Sequence, residues 1–121
     1  MNQNPMSVLL VDDDPDVQNL FELVMNHYRY PYAVVGDAES AIDYLRSYTP
    51  DIVLMDIFLP GLDGFQALSR IRQASLAQGS RFFATTAYYT YETEQEVLKR
   101  GFDGYLPKPF DEGLVSILQE S

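Results

Sequence analysis

The sequence predicts an α/β fold in which five parallel strands alternate with five helices. Two apolar runs, residues 8–11 and 52–55, have strand length and contain no polar residue. Such runs are typical of strands that are buried on both faces of a parallel sheet. Stretches with helical spacing of apolar residues follow them. Because parallel crossovers are right-handed, this alternating order places helices on both faces of one doubly wound sheet.

Three further apolar runs complete the set of predicted strands. They cover residues 32–35, 82–85 and 104–106, and each is bounded by turn-forming or acidic residues. Pro107 follows the last run. Because proline in a sheet is largely confined to edges and strand ends, the fifth strand is predicted to lie at an edge.

Helix caps and apolar stripes predict five helices. Asp14, Asp37 and Asp63 stand directly before helical patterns and are predicted N-caps, with Pro15 at the first helical position. Gly101 is predicted to end the fourth helix. The stripes are Val17, Leu20, Phe21, Val24 and Met25; Ala38, Ala41, Ile42 and Leu45; Phe65, Leu68 and Ile71; a weaker segment over residues 90–100; and Leu114, Val115, Ile117 and Leu118.

Composition limits the function classes that are open to this domain. The 121 residues suit one domain, and 46% of them are hydrophobic, which is enough for a core without disulfides. The chain has no cysteine, which excludes thiolate metal ligands and cysteine nucleophiles and suits a cytoplasmic protein. A formal net charge of −10 predicts no direct binding to nucleic acid.

The chain ends and hydropathy give further expectations about organisation. No apolar run reaches the length that spans a bilayer, so no membrane association is expected. Residues 1–6 are polar and are predicted to be a disordered tail or a cloning remnant. The functional domain is predicted over residues 7–121, and no output domain is expected within them.

Acidic and polar residues follow the predicted strands. The first strand is followed by Asp12, Asp13 and Asp14, and the third by Asp56. The fourth ends with Thr85 and Thr86, and the fifth is followed by Lys108. In open α/β sheets, ligands bind at the carboxyl ends of the strands. These side chains are therefore expected to converge at one edge of the sheet.

The types of these residues suit phosphoryl transfer. Converging carboxylates repel one another, and a divalent cation relieves the repulsion. A site built from carboxylate oxygens suits Mg²⁺. A lysine ammonium and a threonine hydroxyl can bind phosphoryl oxygens while a carboxylate acts as the nucleophile. The set therefore predicts a phosphoryl-transfer site that uses Mg²⁺.

The chain resembles the receiver domain of two-component signalling over roughly residues 7–120. The resemblance rests on an ordered series of motifs along the βα pattern. It implies a flavodoxin-like (βα)5 sandwich with a parallel sheet in the order 2-1-3-4-5. The matching segments are residues 8–15, 53–56, 59–64, 86–87 and 104–110.

The resemblance implies roles for the residues at the predicted edge. Asp56 matches the phosphoacceptor. Asp13 matches the acid that binds Mg²⁺ directly, and Asp12 matches its neighbour, which often acts through water. The backbone carbonyl of Phe58 would complete the protein's share of the metal shell. Lys108 would pair with the phosphoryl group.

Other positions are implied in switching and in the lifetime of the phosphorylated form. Thr86 would move towards the phosphoryl group and donate a hydrogen bond to it, while Tyr105 matches the aromatic residue that moves inward. Phe58 and Tyr88 match positions that flank the phosphoryl group and tune its hydrolysis. Both are bulky aromatic residues here, which predicts slow self-dephosphorylation.

The implied function is a conformational switch rather than a conventional enzyme. A histidine kinase or a histidine phosphotransfer protein would donate the phosphoryl group, and the domain would catalyse only its own phosphorylation and dephosphorylation. A downstream output domain or protein would respond. A homodimer through the fourth helix, fifth strand and fifth helix is a further expectation. Tyr88, Tyr89 and Tyr91 are either packing residues near that face or docking contacts.

Three alternative functions are open at this level. A receiver-like interaction module that is never phosphorylated would share the fold, although the full set of acidic, threonine and lysine residues argues against it. A phosphohydrolase similar to the haloacid dehalogenase superfamily would carry a second acid two residues after Asp56, where this chain has Phe58. A flavodoxin-type flavin module would need a phosphate-cradling first loop, which the acidic residues 12–14 would repel.

Overall fold

The computed structural model describes residues 6–87, 90–108, 110 and 112–119, and strands alternate with helices along these ranges. The strands are β1 (Val8–Val11), β2 (Tyr32–Val35), β3 (Ile52–Asp56), β4 (Arg81–Thr86) and β5 (Gly104–Pro107). The helices are α1 (Pro15–Tyr28), α2 (Ala38–Leu45), α3 (Gly64–Gln73), α4 (Tyr91–Lys99) and α5 (Glu112–Gln119). The predicted βα alternation is confirmed.

The strands form one parallel sheet in the order β2-β1-β3-β4-β5. This order confirms the expected flavodoxin-like (βα)5 sandwich. The central strands β1 and β3 are buried over their whole length, as their apolar sequences predict. β5 lies at an edge of the sheet, and Pro107 is exposed there. Proline has no N–H to donate, but at an edge no neighbouring strand requires one.

The two faces of the sheet carry different helices because strand side chains alternate in direction. Leu9 and Val11 of β1 belong to the core on the side of α2, α3 and α4. Val8 and Leu10 belong to the core on the side of α1 and α5. The site at the carboxyl edge therefore lies at the end of two separate hydrophobic layers.

The predicted helix ends are confirmed. The side chains of Asp14, Asp37 and Asp63 each accept a backbone N–H from the first turn of the helix that follows. At α3 the cap is reciprocal, because the Gln66 side chain also accepts the N–H of Asp63 at 3.0 Å. Gly101, with φ of +108°, follows Arg100, which caps the C-terminus of α4.

Three strands extend further than their apolar runs indicate, namely β3 to Asp56, β4 to Arg81 and Thr86, and β5 to Pro107. Asp56 is the last residue of β3 and pairs with Thr85, while Thr86 pairs with Pro107. Polar side chains do not interrupt a parallel ladder, since the ladder is formed by backbone groups. The sheet itself therefore positions Asp56 and Thr86, which a loop would hold less firmly.

The N-terminal boundary is only partly described. Met6 packs against the core on the α1 and α5 side. Residues 1–5 of the predicted tail lie outside the described residues, and the domain bounds 7–121 stay a prediction. In the described parts of the chain, no helix has both the length and the apolar character that a bilayer crossing requires.

Candidate phosphoryl-transfer site

Four charged side chains meet at the carboxyl edge of the sheet. They are Asp12 and Asp13 after β1, Asp56 at the end of β3 and Lys108 after β5. Carboxylate oxygens of the three aspartates lie within 4.8 Å of one another. Asp12 and Asp56 are buried, whereas Asp13 is exposed. The structure therefore brings together the acidic residues and the lysine that the sequence placed at this edge.

The two buried carboxylates are held in the same way. Oδ1 of Asp12 accepts the backbone N–H of Asp14, and Oδ1 of Asp56 accepts that of Phe58, each at 2.9 Å. Each of these hydrogen bonds forms an Asx turn, in which the carboxylate binds the backbone two residues later. The bond fixes the plane of the carboxylate. In both residues Oδ2 is the oxygen that faces Lys108.

The Lys108 ammonium bridges these two carboxylates. Its Nζ lies 2.6 Å from Oδ2 of Asp12 and 3.0 Å from Oδ2 of Asp56. Burial by itself lowers the pKa of Lys108, but the interactions with both carboxylates outweigh that effect and hold the pKa above its ordinary value. Lys108 is therefore a charged group throughout the physiological pH range.

The environment of Asp12 disfavours the ionised form of its carboxyl group. Burial raises the pKa of its carboxyl above the ordinary value, although the interaction with Lys108 and the N–H of Asp14 act in the opposite direction. The nearby charge of Asp56 adds to the rise. A second positive charge at this edge would therefore stabilise the ionised form of Asp12.

The segment that carries Asp56 is packed tightly against the start of α3. A Cβ at Gly64 would lie 2.7 Å from both the carbonyl oxygen of Asp56 and the Cα of Ile57. The N–H of Gly64 donates to the carbonyl of Ile57 at 3.2 Å. Gly64 was not among the predicted site residues. A glycine directly after the capping Asp63 is the signal that could have identified it.

The predicted switch residues share one face of the sheet. Thr86 is buried and, by strand alternation, lies on the same face as Ala84. Ala84 pairs in register with Tyr105 of β5. Tyr105 is half-buried and packs against the core on the side of α2, α3 and α4. Thr86 and Tyr105 therefore lie on adjacent strands and face the same helices.

The two predicted tuning positions differ in what the structure describes. Phe58 is 62% exposed, and its backbone N–H is bound to Asp56. Most of the Phe58 side chain is therefore exposed to solvent, two residues after Asp56. Tyr88, like Tyr89, lies outside the described residues.

Two further residues contribute to this edge, and the sequence assigned a role to neither of them. The Gln18 side chain of α1 donates to the carbonyl of Asp12 at 2.6 Å, which ties the helix to the acidic loop. Thr85 of β4 is buried and pairs in register with Asp56. The sequence places Thr85 at this edge beside Thr86 but indicates no role for it, since threonine is common in strands.

The acidic edge fits a bound Mg²⁺ ion in donor type, spacing and charge. Ligand oxygens of one octahedral Mg²⁺ ion are about 3.0 Å apart when adjacent and about 4.2 Å apart when opposite, and oxygens of the three aspartates lie within 4.8 Å of one another. Asp12, Asp13 and Asp56 carry three negative charges when ionised, and Lys108 balances one. A divalent cation balances the remaining two. Oxygen donors of this kind suit Mg²⁺.

A sequence profile of the response regulator receiver domain matches residues 8–118. The chain belongs to this family. This receiver domain is 33% identical over 106 residues to the chemotaxis protein CheY of Halobacterium salinarum. The alignment covers 85% of this chain and 84% of CheY. It is also 33% identical over 117 residues to the transcriptional regulatory protein TrcR of Mycobacterium tuberculosis, covering 96% of the chain but only 45% of TrcR.

Solved structures show the same architecture. The receiver domain of the sensor histidine kinase PA1611 from Pseudomonas aeruginosa PAO1 matches this receiver domain with a TM-score of 0.84 and 32% identity, covering 96% of each chain. That structure has a magnesium ion coordinated in the active-site cleft. Because the chain belongs to the receiver family, the phosphohydrolase and the flavin module are no longer alternatives. The alternative to a phosphoacceptor is then a receiver-like interaction module that is not phosphorylated.

Proposed function

We propose that this receiver domain is the phosphoacceptor of a two-component phosphorelay and that Asp56 takes the phosphoryl group in a Mg²⁺-dependent reaction. One observation carries the proposal. Asp56 is only 6% exposed, yet it lies at the ligand-binding edge with Lys108 at 3.0 Å and with two further aspartates beside it. Purely structural roles do not require this concentration of charge, whereas phosphoryl transfer does.

Asp56 acts as the nucleophile in this mechanism. One of its carboxylate oxygens attacks the phosphorus of a phosphohistidine on a histidine kinase or histidine phosphotransfer protein. A P–O bond forms, the P–N bond breaks, and the histidine leaves. Lys108 balances negative charge on the phosphoryl oxygens, and before the reaction two carboxylates already hold its ammonium near Asp56.

The acidic edge supplies the metal site. Asp13 and Asp56 would hold Mg²⁺ directly, Asp12 often through water, and the backbone carbonyl of Phe58 would complete the protein's share. When bound, the ion neutralises charge on the carboxylates and the phosphoryl oxygens. The magnesium ion in the related PA1611 receiver domain supports the same choice of cation here.

The phosphoryl group then changes the conformation of the domain. Thr86 donates a hydrogen bond to a phosphoryl oxygen, and Tyr105 on the adjacent strand moves inward as Thr86 shifts. α4 covers this face and, in its described residues, buries only Val97, so little packing opposes its movement. The switch is a change in the populations of two arrangements.

An output domain or protein responds to the altered face formed by α4, β5 and α5. Tyr91 at the start of α4 is 69% exposed, which supports its role as a docking contact. The same face would form a homodimer. The domain acts in the cytoplasm, catalyses only its own phosphorylation and dephosphorylation, and leaves nucleic-acid binding to other parts of the system because its net charge is −10.

Intact mass after incubation with acetyl phosphate and Mg²⁺ tests the proposal. The wild type should gain one phosphoryl group, and the gain should require Mg²⁺. Asp56→Asn should gain none, whereas Asp43→Asn, at an exposed position on α2, should behave as the wild type. If neither acetyl phosphate nor phosphorylated phosphotransfer proteins modify the wild type, the unphosphorylated interaction module becomes the better assignment.

A further inference from the structure

The hydroxyl of Thr85 is buried without a hydrogen-bond partner in the described part of the structure. The residue is 0% exposed, and no donor or acceptor pairs with its Oγ1. An unpaired buried polar group is destabilising, and it is uncommon enough in native proteins to need an explanation. Valine has a similar shape, suits a strand and lacks the hydroxyl. A role of this hydroxyl in another state of the protein would explain its presence.

Strand order and register place Thr85 on the face of the sheet that the Lys108 side chain crosses. It pairs in register with Asp56 of β3 and with Leu106 of β5, and in-register residues of parallel strands point to the same face. Lys108 comes two residues after Leu106 and so starts on that face. Because β4 separates β5 from β3, the Lys108 side chain must pass over the end of β4 to reach Asp56.

We infer that Thr85 is a positioning residue whose hydroxyl accepts an N–H of the Lys108 ammonium once Asp56 is phosphorylated. The inference rests on the proposed function. The ammonium has three N–H groups, and two carboxylates, Asp12 and Asp56, surround it before phosphorylation. Phosphorylation esterifies one oxygen of Asp56 and draws Lys108 towards the new phosphoryl oxygens. An N–H released in this movement meets the Thr85 hydroxyl below it.

Thr85 thereby distinguishes the two states of the domain. Before phosphorylation its hydroxyl is desolvated and unpaired, which disfavours that state. After phosphorylation the hydroxyl is paired, which favours the phosphorylated state by comparison. Its action differs from that of Thr86, because Thr86 is proposed to contact the phosphoryl group itself, whereas Thr85 acts through Lys108.

Thr85→Val and Thr85→Ser test this role through two readouts that should move in opposite directions. Thr85→Val should make the unphosphorylated protein more resistant to urea, because it removes an unpaired buried hydroxyl. The same change should slow phosphorylation by acetyl phosphate about tenfold, a typical loss for one hydrogen bond to a charged group. Thr85→Ser, which keeps the hydroxyl, should restore the rate. Beryllium trifluoride with Mg²⁺ mimics the phosphoryl group. It should raise the resistance to urea less in Thr85→Val than in the wild type.

Each outcome bears on the inference. A Thr85→Val protein that is phosphorylated at the wild-type rate, or that is less stable than the wild type, would overturn the role of Thr85 and leave the proposed function intact. A wild type that accepts no phosphoryl group would remove both. If Thr85→Val does not fold, Thr85→Ser and Thr85→Ala provide a second pair that differs in the hydroxyl, and equal rates for these two would again overturn the inference.

Discussion

The Lys108 ammonium lies 2.6 Å from Oδ2 of the fully buried Asp12. The lysine therefore neutralises a carboxylate that is not the proposed phosphoacceptor, in addition to Asp56. Removing Lys108 would leave a buried negative charge without its partner, which is more costly than the loss of an exposed ion pair.

Lys108→Met should therefore destabilise the domain as well as impair phosphorylation. We expect the free energy of unfolding at neutral pH to fall by roughly 3 kcal/mol, measured by urea denaturation without Mg²⁺. Adding Asp12→Asn should recover part of the loss, because it removes the unpaired charge. Lys99→Met, at an exposed position on α4, is the matched control. Equal stabilities of Lys108→Met and the wild type would contradict the bridging role.

Gly64→Ala should disturb Asp56, the proposed phosphoacceptor, through the backbone. The added Cβ would meet the Asp56 carbonyl oxygen at 2.7 Å, so α3 or the end of β3 must move. We expect a loss of about 2 kcal/mol in the free energy of unfolding, together with slower phosphorylation by acetyl phosphate. Gly36→Ala should change neither quantity appreciably, because an added Cβ there has no neighbour within 4 Å.

Phe58→Asn should shorten the lifetime of the phosphorylated form several-fold. A polar side chain two residues after Asp56 can guide an attacking water, whereas the Phe58 ring hinders it. Because Phe58 is 62% exposed, its replacement should leave the stability of the domain nearly unchanged. The lifetime is followed by intact mass after removal of the phosphodonor. Tyr48→Asn, an exposed aromatic position after α2, is the control, and identical lifetimes in Phe58→Asn and the wild type would refute the prediction.

Asp37 should contribute to the dependence of stability on pH. The N–H of Ser40, and then its hydroxyl, hold the pKa of the Asp37 carboxyl below its ordinary value of 3.8. A carboxyl with a lowered folded-state pKa stabilises the fold above the unfolded-state value, and this contribution is lost as the pH falls through the lowered one. The free energy of unfolding should therefore fall less between pH 7 and pH 3 in Asp37→Asn than in the wild type. Asp43→Asn, at an exposed position within the helix that Asp37 caps, controls for the general loss of charge.

Much of the fold could be predicted because local patterns specify it. Continuous apolar runs and the helical spacing of apolar residues defined the elements. Asp14, Asp37 and Asp63 marked helix starts by a side-chain bond to the next turn. The convergence of Asp56 and Lys108 also followed from sequence, since the carboxyl ends of parallel strands must lie at one edge.

The sequence by itself therefore determined the parallel βα architecture, the helix caps and which charged residues meet, because these depend on short-range periodicity and strand direction. Only the tertiary structure decided that Lys108 approaches Asp12 as closely as Asp56, that α3 leaves no space for a side chain at Gly64, and that Thr85 lies in register with Asp56. These relationships depend on strand register and on distances between segments far apart in the chain. A one-residue shift of β4 would exchange the faces of Thr85 and Thr86, and only the packing of the assembled sheet fixes that register.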